Sequence, residues 1–117
     1  MTDDLFAGIA VRDYPAALAW YERFFGSPPA FIASPTEAVW ELGEHRYFYI
    51  DERPERAGRA IHTVFVDDFD ARSAAMAERG VQPTARETYA NGVRKLIYRD
   101  PEGNEIGLGG APAHSLD

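Results

Sequence analysis

The chain has 117 residues, 45% hydrophobic and 26% charged: enough for one domain with a real core, and not the composition of a disordered chain. Its 19 acidic and 12 basic residues leave a formal charge of −7, the wrong sign for a nucleic-acid partner. Cysteine is absent, which excludes disulfides, thiolate nucleophiles and cysteine zinc sites, and the opening Met-Thr-Asp-Asp has no basic run or long apolar stretch after it, which points to the cytoplasm and away from a membrane.

Leu5 to Val11 alternates with period two and reads as a strand, with Phe6, Gly8 and Ala10 on one face. Asp13 offers an N-cap, and Pro15 sits in a first helical turn, where its missing N–H costs nothing. Leu18, Tyr21, Phe24 and Phe25 recur at helical spacing as a core face, and Gly26 ends the helix. Three extended runs follow: Ala30 to Ala33, Glu37 to Leu42 and Arg46 to Ile50, the last two joined by a Gly43-Glu44-His45 turn. Polar residues from Asp51 to Arg59 read as a linker.

The pattern then begins again. Ile61 to Val66 alternates, with Ile61, Thr63 and Phe65 on one face. Asp67-Asp68 supplies an N-cap, and a helix packing through Ala74, Ala75 and Met76 runs to Gly80. Pro83 to Tyr89 reads as a strand, Asn91-Gly92 as a hairpin turn and Val93 to Arg99 as a strand. Asp100-Pro-Glu-Gly103 is a tight turn leading into an extended run through Ile106 and Leu108. Val11-Arg-Asp13 matches Val66-Asp-Asp68, and Gly26 matches Gly80, so each half reads strand, helix, three strands. An internal repeat of this kind organises the whole chain.

Ile9-Ala-Val-Arg-Asp13, Ala19-Trp-Tyr-Glu-Arg-Phe-Phe-Gly26, Val64-Phe-Val-Asp-Asp68, Glu78-Arg-Gly-Val81 and Tyr98-Arg-Asp-Pro-Glu-Gly-Asn104 together resemble the vicinal oxygen chelate superfamily, the glyoxalase, bleomycin-resistance and extradiol-dioxygenase relatives. The resemblance runs from Phe6 to Leu108. It implies an α+β fold of two βαβββ modules in pseudo-symmetric arrangement, a curved mixed sheet forming a cup, and a homodimer. Module one would span about residues 5–51, the linker 52–59, module two about 60–109 and the tail 110–117, all in one domain.

Metal-dependent members of that family hold a divalent ion in the cup with His, Gln or Glu. The corresponding positions here fall on Phe6, Ile61 and Gly107, with the fourth near Tyr49, and none of the first three has a donor side chain. No metal or other cofactor is therefore expected. His62 is one residue from a ligand position, and that step flips a strand side chain to the other face. His45 lies in a turn and His114 in the tail. Glu105 shares a face with Gly107 and is the one carboxylate able to enter the cup.

Without a metal, the cup becomes a pocket for a small organic molecule, aromatic or cationic, bound between rings. The expected ligand-binding residues are Phe6, Trp40, Tyr47, Tyr49, Phe65, Arg94, Tyr98 and Glu105. Strand aromatics serve core and pocket equally well, and no nucleophilic constellation surrounds Ser27, Ser34, Ser73 or Ser115. The resemblance thus favours metal-independent sequestration, as in bleomycin-resistance proteins, over catalysis. The alternatives are a metal-dependent lyase or dioxygenase with ligands relocated to His62 and Glu105, and an interaction module with a vestigial cup.

Overall fold

The computed structural model describes residues 3–113, so His114 and Ser115 lie outside the described residues. The chain runs β1 (Leu5–Val11), α1 (Tyr14–Phe25), β2 (Phe31–Ser34), β3 (Glu37–Gly43) and β4 (Arg46–Glu52). After a single 3₁₀ turn at Pro54–Arg56 come β5 (Ile61–Phe65), α2 (Phe69–Glu78), β6 (Ala85–Thr88), β7 (Arg94–Arg99) and β8 (Glu105–Gly110). This is the expected α+β arrangement of two βαβββ modules. Its sheet is divided in two, ordered β1-β4-β3-β2 and β5-β8-β7-β6, and does not close into a barrel. Two residues assigned to the linker, Asp51 and Glu52, instead extend β4, because they pair in parallel with Ala10 and Val11.

The local signals act as their chemistry requires. Asp13 Oδ1 accepts the Ala16 N–H at 3.1 Å, capping α1, with Pro15 in the first turn. Gly26 closes the helix at φ 78°, a left-handed conformation that glycine adopts without a Cβ penalty. Asp68 occupies the N-cap of α2 but makes no side-chain cap bond. The register makes the internal repeat concrete. Phe6 pairs with Tyr47 and Gly8 with Tyr49 in the first sheet. Ile61 pairs with Glu105 and Thr63 with Gly107 in the second.

One core lies on the helix side of both sheets. Tyr14, Ala17, Tyr21 and Phe24 of α1 are buried, with Leu18 and Phe25 packed at the edge of the cluster. Tyr21 touches Phe48 of β4, and Phe24 meets Tyr98 of β7 edge-on at 5.4 Å, so α1 belongs to both modules. Each such ring buried is worth roughly 1.5–3 kcal/mol. The second helix differs from expectation. Its buried residues are Phe69 and Met76, two turns apart, while Ala74 is exposed. A run of alanines carries no directional signal, so the two large side chains set the face.

The Asp100–Asn104 turn fastens the modules together. Asp100 and Asn104 are buried. Asp100 Oδ2 accepts the Tyr21 hydroxyl at 2.7 Å, and its Oδ1 accepts the N–H groups of Glu102 and Asn104 at 2.8 and 2.9 Å. Asn104 donates to the Ala10 carbonyl at 3.2 Å and accepts the Ala60 N–H at 2.9 Å. Glu102 Oε2 takes the N–H groups of Arg12 and Asp13, at 2.9 and 2.8 Å. A motif at the end of the chain thereby satisfies backbone donors at the start of α1.

Candidate functional site

On the face away from the helices, alternation and register bring three expected residues together. Phe6 stacks on Tyr47 with ring centroids 4.4 Å apart, and Tyr49 meets Phe6 at 6.5 Å edge-on. Tyr49 lies across Gly8, where a Cβ would stand 2.6 Å from its hydroxyl oxygen, so only glycine admits the ring there. Desolvation raises the Tyr47 phenol pKa, and the negative charges of Glu41 and Asp4 push the same way. On the equivalent face of module two stand Ile61, Thr63 and Phe65, all exposed, with Glu105 beside them. Glu105 is held by Arg99 at 3.4 Å rather than left free to enter a cup. Phe6 is 48% exposed, Ile61 69% and Phe65 62%, which is unusual for rings and aliphatics on sheet strands.

Three expected site residues point the other way. Trp40 and Tyr98 lie in the core, Trp40 donating its indole N–H to the Ser27 carbonyl at 3.0 Å. Both sit at even positions on strands whose odd positions line the open face. Tyr98 is 0% exposed, its hydroxyl has no partner among the described residues, and desolvation raises its pKa, opposed by Arg86. Arg94, at the start of β7, turns its side chain to α2. Its guanidinium sits 4.4 Å over the Phe69 ring and bonds Asp70 at 3.0 Å and the Ala111 carbonyl at 3.0 Å. Trp40 instead borders a cavity of about 810 Å³ between the modules on the helix side, with Phe25, Phe48, His62 and Met76. Tyr47 and Phe65 reach its rim, whereas Phe6, Tyr49, Arg94, Tyr98 and Glu105 do not.

The positions that would hold a metal can be tested directly. Phe6, Ile61 and Gly107 occupy the strand positions expected for ligands, and none offers a donor atom. His62 faces the helix side, with Nε2 3.0 Å from the Gly8 carbonyl and its ring 6.1 Å from Phe48. His45 is tied to Asp4 at 2.6 Å in an exposed turn. Among the described residues, no three His, Cys, Asp or Glu side chains are disposed to hold an ion. The residues present do not fit the family's divalent metal. One residue outside the expected set does face this spot: Lys95 lies across Gly107. Its parity with Ile97 and Arg99 along β7 was the available signal.

No helix among the described residues is long and apolar enough to cross a membrane. Residues 5–108 match the model of the Glyoxalase/Bleomycin resistance protein/Dioxygenase superfamily. A crystal structure of a glyoxalase / bleomycin resistance protein from Catenulispora acidiphila is 53% identical, with a TM-score of 0.91 over 95% of this chain and 100% of that one. A bleomycin-binding protein complexed with bleomycin gives a TM-score of 0.75 at 21% identity, over 94% of this chain and 99% of that one. A lactoylglutathione lyase from Agrobacterium tumefaciens gives 0.76 at 17% identity, over 95% of each. Comparison with curated proteins returns no match. Two βαβββ modules, their register and the matched span place this chain in the Glyoxalase/Bleomycin resistance protein/Dioxygenase superfamily.

Proposed function

We propose that this protein binds a small organic molecule on its open sheet faces, without a metal. The observation that carries this reading is the Phe6–Tyr47–Tyr49 cluster, a half-exposed aromatic wall built where metal-dependent relatives would carry ligands. Exposed rings on a rigid sheet lose little entropy on binding and offer stacking area. The facing wall comes from a second copy of the chain. Ile61 and Phe65 on the module-two face would close the cup over Phe6 and Tyr47 of the partner. The working complex is therefore a homodimer, and its chemistry is capture rather than turnover.

Thermal-shift screening with aromatic metabolites and antibiotics, bleomycin among them, tests this directly. A ligand present at a hundredfold over its Kd stabilises the native state by about 2.7 kcal/mol. The expected result is a hit whose shift disappears in Phe6→Ala. Near-stoichiometric zinc, nickel, manganese or iron in protein purified without chelator would overturn the metal-free reading.

A further inference from the structure

Lys95 is the chain's sole lysine; every other cation is an arginine. It lies on the open face of module two. A Cβ built on Gly107 would stand 2.6 Å from Lys95 Cε and 2.9 Å from Thr63 Oγ1, so both side chains converge over the same bare strand position. Gly109 next to it is flanked by Phe65, whose ring would be 3.2 Å from an added Cβ. The result is a glycine floor with an aromatic wall on one side and an ammonium on the other. Lys95 as a residue is partly buried, and it takes part in none of the ion pairs among the described residues. Glu87, its neighbour across β6 and β7, does not pair with it, and Glu105 is taken by Arg99. A lysine without an ion-pair partner among the described residues, leaning over a bare glycine in a chain of net charge −7, can take an anion from outside.

We propose that the ligand of this face is a small aromatic carboxylate. Lys95 and Thr63 hold its carboxylate above Gly107, and Phe65 stacks on its ring. The lysine supplies, as a fixed positive charge, the electrostatic attraction that an ion would supply at that place. The proposal rests on reading this face as a ligand wall, and of the aromatic or cationic ligand expected from the sequence it keeps the aromatic ring and replaces the cation by an anion.

Three probes of one shape separate the possibilities: naphthoate, naphthamide and naphthylmethylammonium, titrated calorimetrically into the intact protein. Naphthoate is expected to bind at least about tenfold more tightly than the amide, the ratio of one charge-assisted hydrogen bond. Lys95→Met keeps the stem over Gly107 and removes the charge, so it should bring the ratio close to one while leaving the melting temperature unchanged. Lys95→Arg should restore the preference. Reductive methylation with carbon-13 adds a direct reporter, since the side-chain signal can come only from Lys95, and naphthoate should shift it. An undiminished ratio in Lys95→Met, or tightest binding of the ammonium probe, overturns the carboxylate assignment and leaves the binding reading standing. Binding of none of the three overturns both.

Discussion

Tyr21 shows how one side chain ties the fold together and sets a pH limit. Its phenol is buried in the core and donates to Asp100, itself buried. Burial, then the charge of Asp100 and the hydrogen bond to it, push the phenol pKa far above its ordinary 10.0. The unfolded chain loses that proton near pH 10, while the folded chain keeps it. The contribution is whole below pH 10 and is lost as pH climbs beyond it. Urea unfolding from pH 8 to 11 should show stability falling at the alkaline end, and falling less steeply in Tyr21→Phe. Parallel slopes would show that the alkaline loss arises elsewhere. At neutral pH the same substitution should cost about 1.5–3 kcal/mol, because it leaves a buried carboxylate short of a donor.

Among the elements, the turn between β7 and β8 does more than reverse the chain. Pro101 and Gly103 shape it, Gly103 at φ 94°, but Glu102 and Asn104 connect it to module one. The Glu102 side chain is only 8% exposed and accepts two backbone N–H groups at the start of α1, near the positive end of the helix. Glu102→Ala should therefore cost about 1.5–3 kcal/mol in chemical unfolding, with the loss felt in both modules as one transition. A cost near zero would show that water replaces the carboxylate without penalty. The Asp-Pro-Glu-Gly-Asn run was legible as a turn. Its contacts were not, since they join residues some 90 positions apart, as between Glu102 and Arg12.

For the molecule as a whole, the radius of gyration of 14.7 Å exceeds the roughly 13 Å typical of a chain this long. The excess reflects two sheets that share a core on the helix side and leave their other faces open. Phe6, Ile61 and Phe65 leave large apolar side chains exposed on those open faces. Light scattering at micromolar concentration should give twice the chain mass of 13.0 kDa. Ile61→Glu, which places a charge on that face without touching the core, should yield a folded monomer with unchanged circular dichroism. A wild-type monomer would rule out the two-chain cup and leave each face to bind alone.

The elements and the repeat were readable along the chain, because strand and helix periods and glycine stops are local. The assignment of Phe6, Ile61 and Gly107 to ligand positions came from the family resemblance, whereas parity alone put His62 on the opposite face from Ile61. Parity along a strand does not say which face belongs to the core until the helices have packed. Hence Trp40 and Tyr98 went to the core, and Arg94 to Phe69 and Asp70 on α2. That Lys95 leans across Gly107 follows from a strand pairing and a bare glycine that only folding brings together, and its cross-strand neighbour Glu87 forms no ion pair with it. Backbone periodicity is written residue by residue, whereas the electrostatics of a site depend on which charges folding leaves without partners.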